Sequence, residues 1–99
     1  MTGSNRILLV GRQQDLLDRT TRVLESVGCI VTGTVSDGTA IDLASSSDYD
    51  ALLIADEVPQ SDRQYVATLA RNSKPSIAVV VVVDSETVLT QLRQVGLRL

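Results

Sequence analysis

The chain has 99 residues, 43% hydrophobic and 21% charged, with a formal net charge of −3. That is one domain with one core. The acidic balance, with arginines scattered at Arg6, Arg12, Arg19, Arg22, Arg63, Arg71, Arg93 and Arg98, excludes a nucleic-acid platform, which needs a concentrated basic face. With no His, His-based acid–base catalysis and His metal sites are excluded too. Tyr49 and Tyr65 are the only aromatics, so the core must be aliphatic. Cys29 is the single cysteine. It sits in an apolar run and reads as a buried, inert thiol rather than a nucleophile. A lone thiol without a signal peptide points to a reducing cytoplasm. The longest aliphatic run, Ile77 to Val83, is too short to cross a bilayer.

Taken in chain order, Arg6 to Val10 (RILLV) read as a strand. Its apolar residues are continuous rather than alternating, as in a parallel strand covered on both faces. Gly11 breaks it. A helix is expected from about Asp15 to Val27, with Leu16, Leu17, Thr20, Val23, Leu24 and Val27 on one face. Asp15 and Asp18 complement the dipole at its start, and Gly28 can end it. Cys29 to Val35 (CIVTGTV) form a weaker strand, whose Gly and Thr suggest the sheet edge. Ser36 and Asp37 can cap a short helix over Thr39 to Ser46 that buries Ala40, Ile41 and Ala44.

Ala51 to Ala55 (ALLIA) is a third, continuously apolar strand, and Pro59 stops further pairing. Ser61 and Gln64 fit a capping box that opens a third helix. Tyr65, Val66, Leu69 and Ala70 form its expected buried stripe. After Lys74 and Pro75, Ile77 to Val83 (IAVVVVV) form a fourth strand. Asp84 or Ser85 caps a fourth helix that buries Val88, Leu89, Leu92 and Val95, and Gly96 ends it. Strands alternating strictly with helices over short loops mean a parallel sheet with right-handed crossovers, a doubly wound α/β fold. That order does not give a function.

Three segments carry a resemblance. RILLV is followed by an exposed loop and by DLL opening a helix. GCIVTGTVSDGTAIDL runs from Gly28 to Leu43. YDALLIA leads to Pro59 and Asp62. Together, along nearly the whole chain, they resemble the receiver domain of bacterial response regulators. The resemblance implies a flavodoxin-like doubly wound sheet of four parallel strands in order 2-1-3-4. The sequence ends at Leu99, before the fifth strand and fifth helix of a complete receiver.

The resemblance also implies a phosphoryl-accepting pocket, and here the chain departs from the pattern. The family's first strand ends in an acidic pair that holds a divalent metal; Gly11 and Arg12 stand there, followed by Gln13. The phosphoacceptor Asp lies four residues before the loop Pro, which counts back from Pro59 to Ala55. The family's Thr or Ser near the end of the fourth strand falls at Val81, or at Val82 if the loop differs by one. The Lys that follows the fifth strand has no counterpart, since the only lysine, Lys74, lies in another loop. Phosphoryl transfer rests on positioning and charge neutralisation. It needs a carboxylate nucleophile, a hard cation on oxygen ligands and donors to the phosphoryl oxygens. The expected result is a degenerate pocket built of Gly11, Arg12, Ala55, Asp56 and Val81, with no catalytic residue, no metal and no cofactor.

Arg12 is expected to pair with Asp56 or Glu57 and close that pocket. Two other readings stay open. A slip of the third strand would bring Asp56 into the acceptor position, though such a slip swaps strand faces. The Gly11 loop before a helix N-terminus could bind an anion or nucleotide, though it lacks a GxGxxG or P-loop pattern. A further reading makes the chain a piece of a longer regulator. Partners are expected to be proteins: a signalling protein such as a histidine kinase or another regulator, and a second copy of the chain. Homodimerisation is expected because a bare, aliphatic fourth strand invites pairing. Val79, Val80, Val81, Val88, Leu92, Leu97 and Leu99 are its expected interface. Neither a nucleic acid nor a membrane is expected as partner.

Overall fold

The computed structural model describes residues 5–99. In chain order the elements are β1 (Arg6–Val10), α1 (Gln14–Glu25), β2 (Ile30–Thr34), α2 (Asp37–Ser46), β3 (Ala51–Ala55), α3 (Gln60–Ser73), β4 (Ala78–Val82) and α4 (Val88–Gln94). The four strands form one parallel sheet in the order β2-β1-β3-β4, the topology that the alternation and the resemblance imply.

Period-2 alternation sorts each strand onto two cores. Leu8, Val10, Leu52 and Ile54 point to one face, where Ala40 and Ala44 of α2 and Val66, Ala67 and Ala70 of α3 cover them. Ile7, Leu9, Leu53, Val80 and Val82 point to the other, under Leu17 and Leu24 of α1 and Val88 and Leu92 of α4. All five residues of β3 are buried, which is why that strand reads as an unbroken apolar run. β2, at the edge, is mostly half-exposed. Small residues on α2 and α3 let both helices lie close to the sheet.

Both glycine stops are as expected. Gly28 and Gly96 have φ of +88° and +97°, the left-handed region that glycine enters without a Cβ penalty. Each closes a Schellman motif. The N–H groups of Gly28 and Cys29 donate to the carbonyls of Glu25 (3.0 Å) and Leu24 (3.1 Å), and those of Gly96 and Leu97 to Arg93 (3.1 Å) and Leu92 (3.0 Å). Ser36 caps α2 by accepting from the Thr39 N–H at 3.2 Å, so that helix begins two residues earlier than expected.

Other expectations need correction. α3 starts at Gln60 on Pro59, with no side-chain cap, so Ser61 and Gln64 make no capping box. Tyr65 is 59% exposed. The sheet-facing arc of α3 is centred on Val66, Ala67 and Ala70, and the 100° step of a helix carries position 65 off it. α4 starts at Val88, because Asp84 first forms a turn by accepting from the N–H groups of Glu86 and Thr87, each at 2.9 Å. Val95, past the end of α4, is exposed. β2 and β4 are each trimmed at both ends, leaving Val35 and Val83 exposed.

Candidate functional site

In an open α/β sheet, ligands sit beyond the carboxyl ends of the strands where the strand order reverses. Here that point lies between β1 and β3, so the loops after Val10 and Ala55 frame the site. Gly11 continues β1, its N–H donating to the Thr34 carbonyl at 3.2 Å. The space beside Gly11 is filled. A Cβ built there would meet Leu17 Cδ2 at 2.9 Å, Glu57 Oε1 at 3.3 Å and Ala55 Cβ at 3.4 Å. Gly11, Ala55 and Leu17 thus form an apolar plug where the resemblance puts carboxylates.

Two polar arrangements, one of carboxylate on backbone amides and one ion-paired, surround the plug. The Glu57 carboxylate accepts from the backbone N–H groups of Arg12 (2.9 Å) and Gln13 (3.0 Å) with the same oxygen. Those donors lead into α1, so an internal carboxylate already takes the place an anion would have at this helix start. The Arg12 guanidinium turns the other way. It grips Asp37 at the start of α2 with both terminal nitrogens, at 2.9 and 2.8 Å, and reaches Asp62 in the first turn of α3 at 3.4 Å. It also leans on the carbonyls of Gly11 (3.4 Å) and Val35 (3.5 Å). The Asp37 hydrogen bond, outweighing partial desolvation, raises the Arg12 pKa above its ordinary value. One cation therefore ties β1, α2 and α3 together.

This corrects the expected partner of the Arg12 guanidinium, which pairs with neither Asp56 nor Glu57; the Glu57 carboxylate is held instead by the backbone N–H groups of Arg12 and Gln13. Asp56 is exposed; its N–H donates to the Val82 carbonyl at 2.9 Å, and Arg63 Nη1 donates to the carbonyls of Asp56 (2.9 Å) and Val58 (2.8 Å). These bonds fix the β3–α3 loop with Ala55, not Asp56, at the end of the strand. Of the two expected β4 positions, Val81 and Val82, register selects the second. Ala55 is in register with Val82, so Val82 is the β4 neighbour of the plug, while Val81 faces α3 on the opposite side of the sheet.

Gly11 and Gln13 bring no carboxylate, Glu57 is engaged by two amides, and Asp37 is neutralised by Arg12. Among the described residues no group of three or more Cys, Asp or Glu could hold a metal ion. Sequence reasoning missed Asp37 and Asp62 as site residues. Asp37 stood in view only as a capping candidate; the implied order 2-1-3-4 sets β2 beside β1, but the sequence does not say which nearby carboxylate Arg12 turns to.

At the expected interface the seven residues do not behave alike. Val88 and Leu92 are fully buried in the core under α4, and Val80 is buried beside them. These three are core residues, not surface. Leu97 and Leu99 pack partly on the same cluster, and the tail is held by Asn5 Nδ2 donating to the Arg98 carbonyl at 2.6 Å. Val79 and Val81 are the ones that remain available, in a groove beside α3, with Val81 38% exposed. The uncovered sheet face is on the α3 side because α4 packs on the face of α1. Cys29 is buried, and burial pushes its thiol pKa up, as befits a packing residue.

No protein-family model matches the chain, and no curated protein does. Solved structures do. The chain superposes on a CheY-like response regulator receiver domain protein from Methanospirillum hungatei JF-1 with a TM-score of 0.71 at 18% identity, covering 95% of this chain and 77% of that one. It also matches a CheY-like response regulator receiver domain from Methylobacillus flagellatus, with a TM-score of 0.68 at 15% identity over 95% of this chain and 100% of that one. The fold is therefore that of a receiver domain. No helix of the described residues is long and apolar enough to cross a membrane.

Proposed function

We propose that this chain is a cytoplasmic pseudo-receiver: a signalling module with the receiver fold that accepts no phosphoryl group and acts by binding other proteins. The observation that carries this reading is the state of the sheet's carboxyl end. An apolar plug of Gly11, Ala55 and Leu17 fills the acceptor position, and the Arg12–Asp37–Asp62 clasp closes the rim beside it. Phosphoryl transfer depends on preorganised charge around the reacting oxygens, and this site offers one oriented cation already neutralised by its own carboxylates. The module is not an enzyme. Its partners are signalling proteins such as a histidine kinase or another regulator, and a second copy docked through β4.

Neither alternative gains an observation. Asp56 lies beyond the strand end, and the amides of the Gly11 loop are spent on Glu57. The test is titration with Mg²⁺ and beryllofluoride, a phosphoryl analogue, followed through the backbone amide resonances of Gly11, Ala55, Asp56 and Val82. The expected spectrum is unchanged. Saturable, Mg²⁺-dependent shifts at these four residues would overturn the reading.

A further inference from the structure

The helices divide between the two faces of the sheet: α2 and α3 cover one, α1 and α4 the other. A right-handed crossover leading from β4 to a further parallel strand would carry its helix on the α3 face. α4 lies on the opposite face, so among the described residues no helix covers β4 on the α3 side. A groove of about 370 Å³ runs there, between α3 and β4. Ile54, Val79 and Val81 form its floor and Ala67 its inner wall. Val79 is half-buried and Val81 exposed, on a face of the kind that helices cover in parallel sheets.

The groove carries charge of one sign. Arg63 and Arg71 line it, and no carboxylate does. Arg63 gives its Nη1 to the carbonyls of Asp56 and Val58, and neither arginine has an ion-pair partner among the described residues. The carboxylates of the neighbouring loops, Asp56, Glu57, Asp84 and Glu86, line a separate cleft with Leu16 and Arg19 of α1. In a chain of net charge −3, this groove is a local basic exception with an apolar floor.

We propose that the groove binds an acidic amphipathic helix of a partner protein. Val79 and Val81 take its apolar stripe, and Arg63 and Arg71 take its carboxylates. This rests on the reading that the chain acts by binding other proteins, and it names the chemistry of one partner. The dimensions fit. The five residues of β4 span about 17 Å, the length of about three helical turns. Arg63 and Arg71 lie about 12 Å apart along α3, which suits carboxylates seven or eight residues apart on the partner helix. A second copy has no helix free to fill the groove, because the apolar residues of α1, α2, α3 and α4 are turned to their own cores.

The probe is a lactam-bridged helical peptide of about four turns, with one leucine stripe bordered by glutamates seven residues apart. Its control carries lysines in place of the glutamates. Each is titrated into the full chain and followed through backbone amide resonances. The acidic peptide should give saturable shifts centred on Ala67, Val79 and Val81, and the lysine peptide should bind at least about tenfold more weakly. Arg71→Glu should weaken the acidic peptide by about tenfold and strengthen the lysine peptide. Val81→Asp should abolish binding, with urea denaturation confirming that the variant is folded. Equal binding of both peptides, or shifts that lie elsewhere, would overturn the proposal. So would concentration-dependent shifts in the groove without peptide that Arg71→Glu removes, which would give the groove to a second copy. A chain that binds the acidic peptide but also responds to Mg²⁺ and beryllofluoride keeps the groove and loses the phosphorylation reading. A chain that responds to neither loses the groove alone.

Discussion

Gly11→Ala probes the plug directly. The added Cβ would lie 2.9 Å from Leu17 Cδ2, 3.3 Å from Glu57 Oε1 and 3.4 Å from Ala55 Cβ. The first distance demands movement, and Leu17 is itself buried, so its terminal methyl must turn within a packed core. Overpacking of this kind costs about 1–3 kcal/mol. Replacing Gly stiffens the unfolded chain and returns about 0.4–1 kcal/mol, because the φ of Gly11 is not positive and Ala can adopt it. The net expectation is a destabilisation of about 1 kcal/mol, or about 4–8 °C in Tm for a domain of this size. Urea denaturation should show a lower midpoint with an unchanged slope. A double-mutant cycle isolates the cause: in a Leu17→Ala background the clash is gone, and Gly11→Ala should be neutral or stabilising. Gly11→Asp, which restores the acidic type the resemblance implies, should be worse than Gly11→Ala, since it sets a second carboxylate against Glu57 in a space without room for it. If Gly11→Ala is as stable as wild type, or if its effect is the same with and without Leu17, the plug is not packed as described.

Arg12→Ala should cost about 1 kcal/mol: its grip on Asp37 is bidentate, but the side chain is 32% exposed and partly screened. The loss should shrink at high salt, and a salt-independent loss would point to packing instead. Leu92→Ala should cost about 3 kcal/mol as a fully buried core truncation, whereas Val95→Ala should stay within about 0.5 kcal/mol as a surface change; equal losses in chemical denaturation would refute the assignment of α4's buried face. The Asp48 carboxylate, hydrogen-bonded and ion-paired to Lys74, has its pKa lowered from 3.8. A lowered folded pKa adds stability above the unfolded value and loses it as pH falls through the folded one. Asp48→Asn should therefore flatten the acid limb of the stability profile below pH 3.8 without changing its shape near neutrality.

The fold was largely legible because its signals are local and redundant. Continuous apolar runs marked β1 and β3 as strands covered on both faces, and Gly28 and Gly96 marked helix ends through a backbone requirement only glycine meets cheaply. The Gly and Thr of β2 announced an edge. What could not be read was choice among neighbours. Arg12 had four carboxylates within loop reach, and the outcome turned on Glu57 being taken by two backbone N–H groups. Counting from Gly96 left Val81 or Val82 beside Ala55; register selects Val82, and a shift of one residue changes the sheet face. Val88 and Leu92 could serve as interface only if α4 left its own core uncovered. Its packing on the side of α1 settled both.

The claim that the site accepts no phosphoryl group is tested most directly by chemistry. The chain is incubated with a small acyl phosphate donor and Mg²⁺, and its intact mass is measured before any hydrolysis of an acyl phosphate can occur. An unchanged mass is the predicted result. Addition of one phosphoryl group, mapped to Asp56 and lost in Asp56→Asn, would contradict the account.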